Sequence, residues 1–268
     1  MFYAESLCLR EFGRSLTDDQ SLRGCGRKIR RGVVGAADEI LETTVFCGQA
    51  WLCPVCGYQA ACDQSRQLAN IFTVWKSQGG SVGLLTLSQS HSTDDELDVL
   101  WDRADEGWAV MVRGSGWRAD RDMFGLRGYI RVTEVVHSPE SGWNVHFHVP
   151  LLLDAPLDDD QLNELKDRVS ARFMRGVRAA GGAATGDGQH LSVIQPRSET
   201  RLITYYAKGT TARWTPDGSR TPMAILADLN ETGEGLGLWK EFTAVVTGTK
   251  RRRYSPSHGI ANLVPNRL

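Results

Sequence analysis

Apolar positions along the chain first fall into a regular period near residue 59. From 59 to 78 they recur at helical spacing, with Leu68, Ile71, Phe72 and Trp75 on one face and Gly79-Gly80 closing the pattern. The short apolar run 82–88 has the residue types of a strand. Thr93 then stands as the N-cap of a second helix whose inward face is Leu97, Leu100, Trp101 and Trp108. Stretches 128–137 and 143–153 read as strands joined by Ser138-Pro139-Glu140-Ser141-Gly142, which is turn chemistry. A helix over 158–180 follows (Leu162, Leu165, Val169, Phe173), then a strand over 190–195 and a short helix over 198–208. Two weaker helical stretches flank a Gly-rich break between 226 and 246. Residues 1–57 are rich in turns and charge, with little periodicity.

The order from 82 to 208 is β-α-β-β-α-β-α. An α+β fold of ferredoxin-like type, an antiparallel sheet with helices on one face, accommodates it with short connections and leaves the other face open for a ligand. The chain divides into a Cys-rich zinc-binding region with its helix (1–79), the α+β unit (80–213), and a helical C-terminal region with a basic tail (214–268).

Strand alternation makes one segment chemically pointed. In Trp143-Asn144-Val145-His146-Phe147-His148-Val149, His146 and His148 share a face while Val145, Phe147 and Val149 take the other. If the hairpin turns near Glu140, residues whose numbers add to about 280 lie opposite one another, and Glu134 faces His146. A carboxylate and two imidazoles leave coordination positions open, which suits Mg²⁺ or Mn²⁺ shared with a substrate phosphate. Asn144 has the same parity and is the reserve ligand. Downstream, Tyr205-Tyr206-Ala207-Lys208 places Tyr205 and Lys208 on one helix face. A lysine and a nearby divalent ion would help that phenol act as a nucleophile.

The cysteines narrow the picture. Cys53-Pro54-Val55-Cys56 has the spacing of a zinc knuckle, and Cys25 and Cys47, each followed by glycine, are the nearest completions of a four-sulfur site. A redox pair and buried metal-free thiols are the alternatives; Cys8 and Cys62 read as free thiols. Composition is that of an ordinary globular protein, 41% hydrophobic and 24% charged. No run is long enough to span a membrane, and the first residues lack the basic and apolar segments of a secretory leader, so a cytoplasmic protein is expected. The net charge of −1 argues against a general nucleic-acid coater. Basic residues are instead clustered, with Arg27, Lys28, Arg30 and Arg31 in one run and Lys250, Arg251, Arg252 and Arg253 in another, the candidates for DNA contact.

At these residues the sequence resembles the HUH endonucleases, specifically rolling-circle replication initiator (Rep) proteins of actinobacterial plasmids. The resemblance rests on the segment 47–56, on Leu85-Thr86-Leu87-Ser88 as motif 1, on 142–149 as motif 2 and on Tyr205-Tyr206-Ala207-Lys208 as motif 3. Arg220-Thr221-Pro222 and Leu238-Trp239-Lys240-Glu241 also look familial. It implies a ferredoxin/RRM-like HUH palm over 80–213, metal on His146 and His148, and Tyr205 as the nucleophile that nicks origin DNA through a 5′-phosphotyrosine. Single-stranded and origin DNA are the implied partners, with a bacterial host's helicase and DNA polymerase. Two positions depart from the pattern: Asn144 stands where many relatives have histidine, and Arg201 where some have a glutamate used in termination. A transposase or relaxase of the same chemistry is a weaker match, since relaxases place their tyrosine ahead of the histidines. A zinc-containing DNA-binding module without catalysis is the non-enzymatic alternative.

Overall fold

The computed structural model describes residues 3–34, 39–194 and 218–260. Its centre is a five-stranded antiparallel sheet formed by β3 (Ser81–Leu87), β4 (Leu126–Ser138), β5 (Gly142–Leu153), β6 (Gln189–Val193) and β7 (Tyr254–Pro256), in the order β6-β3-β5-β4-β7. The chain passes from β3 through α4 (Leu97–Met111) and α5 (Gly114–Met123) to β4, and from β5 through α6 (Asp159–Ala179) to β6. These two crossovers interleave as a split β-α-β.

The long β4–β5 hairpin closes at Gly142, whose φ of +73° suits only glycine. A Cβ there would also stand 2.5 Å from the Ser92 carbonyl oxygen. On β5, Val145, Phe147, Val149, Leu151 and Leu153 are buried against α4 and α6. Those two helices cross at Gly176, where a Cβ would lie 2.8 Å from the Gly107 Cα, so the crossing needs glycine on both sides. The N-terminus of α6 carries the capping box Asp158/Gln161.

The crossover helices α4 and α6 keep to one face, as the sequence order suggested, but the other face is not left wholly open. The long helix α3 (Pro54–Ser77) lays Leu68, Ile71, Phe72 and Trp75 over Val82, Ile130, Val132 and Leu152, on the face opposite α4 and α6. The cause is that β3 and β4 are apolar on both faces toward this end, so a single layer of helices leaves apolar area in water. Trp75 Nε1 also donates to the Leu153 carbonyl at 2.8 Å. Beyond the cover of α3, the same face carries Glu134, Asn144, His146 and His148.

Helix α4 starts later than the cap at Thr93 predicts. Its N-cap is Glu96, whose side chain makes no capping bond, and Glu241 accepts from the Leu97 amide at 2.9 Å instead. Glu241 lies on α8 (Leu236–Val246), which follows α7 (Pro222–Thr232), and it also accepts from Trp143 Nε1 at 2.9 Å. One carboxylate thus ties α8 to the start of α4 and to β5. A tertiary capping group of this kind leaves no mark in local sequence.

The N-terminal region is more ordered than its lack of periodicity implies. It contains α1 (Tyr3–Ser15), the short α2 (Gln20–Arg23) and an antiparallel ribbon of β1 (Lys28–Val34) and β2 (Glu39–Val45). Helix α3 begins at Pro54, earlier than the apolar stripe marks, because proline at N1 extends it through the CxxC segment. Leu22, Cys25, Leu52 and Cys56 share one core cluster with Trp101, Phe147, Trp239 and Phe242. Among the described residues, no helix is long and apolar enough to cross a membrane. The helix expected over 198–208 lies outside the described residues.

Candidate metal centre and cysteine cluster

The polar part of the α3 face is built by three strands. β5 presents His146 and His148, and the hairpin register pairs Glu134 of β4 with His146. Both imidazole Nε2 atoms stand 3.0 Å from Glu134 Oε2. The other ring nitrogens are also held: His146 Nδ1 lies 3.2 Å from Asn144 Oδ1, and His148 Nδ1 lies 3.2 Å from Thr86 Oγ1 on β3. With each Nδ1–H donating, both Nε2 lone pairs turn toward the carboxylate. Acceptors that converge in this way call for a cation between them, and metal-bound histidines use the same arrangement of the second nitrogen. Neighbouring ligands of a six-coordinate ion at about 2.1 Å are separated by about 3 Å, so the spacing fits Mg²⁺ or Mn²⁺.

With a proton rather than an ion between the groups, the Nε2 atoms donate instead. Burial then opposes ionisation of Glu134, but hydrogen bonds and charge from His146 and His148 outweigh it and hold the carboxyl well below the usual carboxylate range, so the carboxylate is ready for a cation. Burial holds His148 below the usual imidazole range, despite its hydrogen bond to Glu134. The side chains of His146 and His148 are 14% and 16% exposed, so the centre opens to solvent on one side only. Asn144, the reserve ligand, orients His146 in this arrangement. Sequence reasoning did not single out Thr86, nor His190, which pairs with Thr86 across β6 and is exposed on the same face. Alternation in Leu85-Thr86-Leu87 was the available signal for Thr86, since both leucines are fully buried on the far side.

The second cluster gathers Cys25, Cys47, Cys53 and Cys56, whose sulfurs lie within 4.8 Å of one another. Cys25 Sγ is 3.7 Å from those of Cys53 and Cys56, and Cys47 Sγ is 3.5 Å from that of Cys56. A tetrahedron with metal–sulfur bonds of about 2.3 Å has edges of about 3.8 Å, and disulfide bonds are far shorter. Hydrogen bonds from Cys47 and Cys53 pull the Cys56 thiol down to about 4, and hydrogen bonds with Cys53 and Cys56 push Cys47 up. Four sulfurs so close can ionise together only around a cation. Cys53 caps α3 and Cys56 lies in its first turn, where the helix dipole favours negative sulfur. The donor set fits structural Zn²⁺.

The basic residues separate into two kinds. Arg27, Lys28, Arg30 and Arg31 are exposed at the ribbon. Arg251 instead lies over the Trp101 ring, binds Asp98 at 2.7 Å and keeps 11% of its side chain exposed. Arg253 is buried and donates to Gln64 on α3, leaving Arg252 exposed. Tyr205 and Lys208 lie outside the described residues. A cavity of about 990 Å³ sits on the other side of the sheet, lined by Asp95, Asp105, Arg131 and Glu241 among others. Its Arg131 and Asp105 bind one another at 2.8 Å, and it is separate from the histidine face.

These two clusters define the class of site: a two-histidine, one-carboxylate centre on the sheet and a separate four-cysteine cluster at the start of α3. The chain is 26% identical over 202 residues to a neomycin resistance protein from Streptomyces cyanogenus, covering 66% of this chain and 43% of that protein. It is 28% identical over 144 residues to the protein named rep from Streptomyces lividans, covering 44% of this chain and 32% of the relative. The chain therefore spans less than half the length of either relative. No family model matches it, and no solved structure does.

Proposed function

We propose that this chain is a plasmid replication protein that nicks origin DNA by rolling-circle chemistry, with an HUH-type palm over 80–213. The observation that carries the reading is the convergence of His146 and His148 on Glu134, with Asn144 and Thr86 setting their orientation. Similarity to the Streptomyces lividans rep protein supports it. In this reading His146, His148 and Glu134 hold Mg²⁺ or Mn²⁺, which when bound would polarise the scissile phosphate. The Tyr205 phenol oxygen attacks phosphorus, the P–O3′ bond breaks, and the phenol's proton ends on the departing 3′ oxygen. The products are a 5′-phosphotyrosine and a 3′-OH able to prime synthesis. Lys208, three residues on from Tyr205 and on its face if the expected helix forms, lowers the cost of developing phenolate charge. A host helicase and polymerase would then act on the opened strand. Zn²⁺ at Cys25, Cys47, Cys53 and Cys56 is structural.

The test is cleavage of single-stranded oligonucleotides tiled across the chain's own replicon. His146→Ala with His148→Ala is expected to lose at least about 10²-fold in rate while zinc content stays at the wild-type level. Full cleavage by that double variant would remove the centre from the reaction. If wild type binds the origin and never cleaves with Mn²⁺, the chain is a DNA-binding module.

A further inference from the structure

We propose that the β1–β2 ribbon reads double-stranded DNA by entering its major groove, and that the cysteine cluster is the socket that holds it. The inference deepens the reading of the chain as an origin-nicking protein and rests on it for the identity of the duplex. At 28–31 and 42–44, residues on both faces of the ribbon are exposed. A two-stranded ribbon is marginal on its own in water, so its base must be anchored, and here Cys25 and Cys47 anchor it at the edge of the core cluster. Cys25 precedes β1, Cys47 follows β2, and the Gly26 amide donates to the Val45 carbonyl at 2.8 Å, closing the stem between them. Cys53 and Cys56 come from α3. A metal shared by these four sulfurs therefore joins the ribbon to the helix whose other half packs on the histidine face.

Shape and charge select the occupant. Seven residues per strand give a ribbon about 23 Å long, and the B-form major groove, about 12 Å wide, admits a two-stranded ribbon. Lys28 and Arg30 share one ribbon face, and Ile29 and Arg31 take the other. Ile29 is 61% exposed, an apolar contact of the kind a thymine methyl meets. Arg27 and Arg31 pair with Glu11 and Glu42, each at 2.7 Å, so Lys28 and Arg30 are the side chains the test targets. Thr43 and Thr44 add hydroxyls on the second strand. At the described exposed positions the ribbon carries Lys28, Arg30 and Arg31 with Ile29 as the exposed apolar side chain, which complements a polyanion better than an apolar protein surface. It also suits B-form DNA over double-stranded RNA, whose major groove is deep and narrow.

The experiment uses the full zinc-loaded chain and mixed-sequence duplexes of about 30 base pairs, with affinity measured against salt. Lys28→Gln with Arg30→Gln is expected to reduce the slope of log affinity against log salt by about 2, and to weaken DNA-duplex binding about 10-fold or more. Arg175→Gln with Arg178→Gln, exposed on α6, is the control and should keep the wild-type slope. Zinc content and far-UV circular dichroism check folding of both variants. The proposal is overturned if the ribbon variant keeps the wild-type slope, if the α6 variant loses as much, or if an RNA duplex binds as tightly as DNA. A ribbon variant that turns a dimer into a monomer while duplex binding is unchanged overturns it in favour of a second copy. Cleavage of single strands is read separately, so a chain that binds duplex through the ribbon without cutting sinks the nicking assignment alone.

Discussion

Asn144 and Thr86 touch no metal position, yet each fixes which nitrogen of a histidine faces the centre. Outer partners of this kind are typically worth about 10- to 100-fold in metal affinity. Asn144→Ala and Thr86→Val are each expected to weaken Mn²⁺ binding by that range in titration calorimetry, with unfolding midpoints little changed. Asn144→Asp should restore binding, because a carboxylate accepts the same Nδ1–H. Unchanged Mn²⁺ affinity in both variants would make these bonds incidental. Much of this residue scale was legible in the sequence: strand parity paired the histidines, and the turn residues set the register that brings Glu134 to His146. Asn144 was legible only as a reserve ligand, because its role as an orienting acceptor depends on a rotamer, which alternation does not specify.

Two elements lean on single side chains. Helix α5 is pinned by Asp120, fully buried and bonded to Arg168 at 2.6 Å and to Arg172, both on α6. Asp120→Ala is expected to cost about 2–3 kcal/mol in urea unfolding, below the range for a wholly buried pair because Arg168 can rehydrate. A loss under about 0.5 kcal/mol, as at a neutral surface site, would contradict that role. The start of α3 depends on its cysteines: Cys53→Ser should lower bound zinc from one per chain to none and expose the segment between Cys25 and Cys53 to limited proteolysis. Full zinc and unchanged protection would rule the sulfur out as a ligand. Sequence periodicity found α3, α4, α6 and the β4–β5 hairpin because each carries a clear apolar stripe. It missed α1, α5 and the ribbon for physical reasons. α1 buries only Ser6, Leu9, Gly13 and Arg14, α5 buries Trp117 and Asp120, and ribbon positions 28–31 and 42–44 are exposed.

At the scale of the molecule, α3 joins the two clusters, with cysteines at its N-terminus and its apolar stripe on the histidine face. The expectation of helices on one face holds for α4 and α6, while the cover that α3 gives the second face went unread because apolar residues there cannot be assigned to a partner from local pattern. The helix expected over 198–208 lies outside the described residues, so the nucleophile rests on motif and chemistry. The most direct measurement is therefore the covalent adduct itself. The full chain is incubated with Mn²⁺ and single-stranded oligonucleotides from its own replicon, then digested and mapped by mass spectrometry. The account predicts a 5′-phosphorylated DNA remnant on the peptide carrying Tyr205, and its disappearance with Tyr205→Phe. An adduct that persists in that variant, or that maps to another residue, contradicts it.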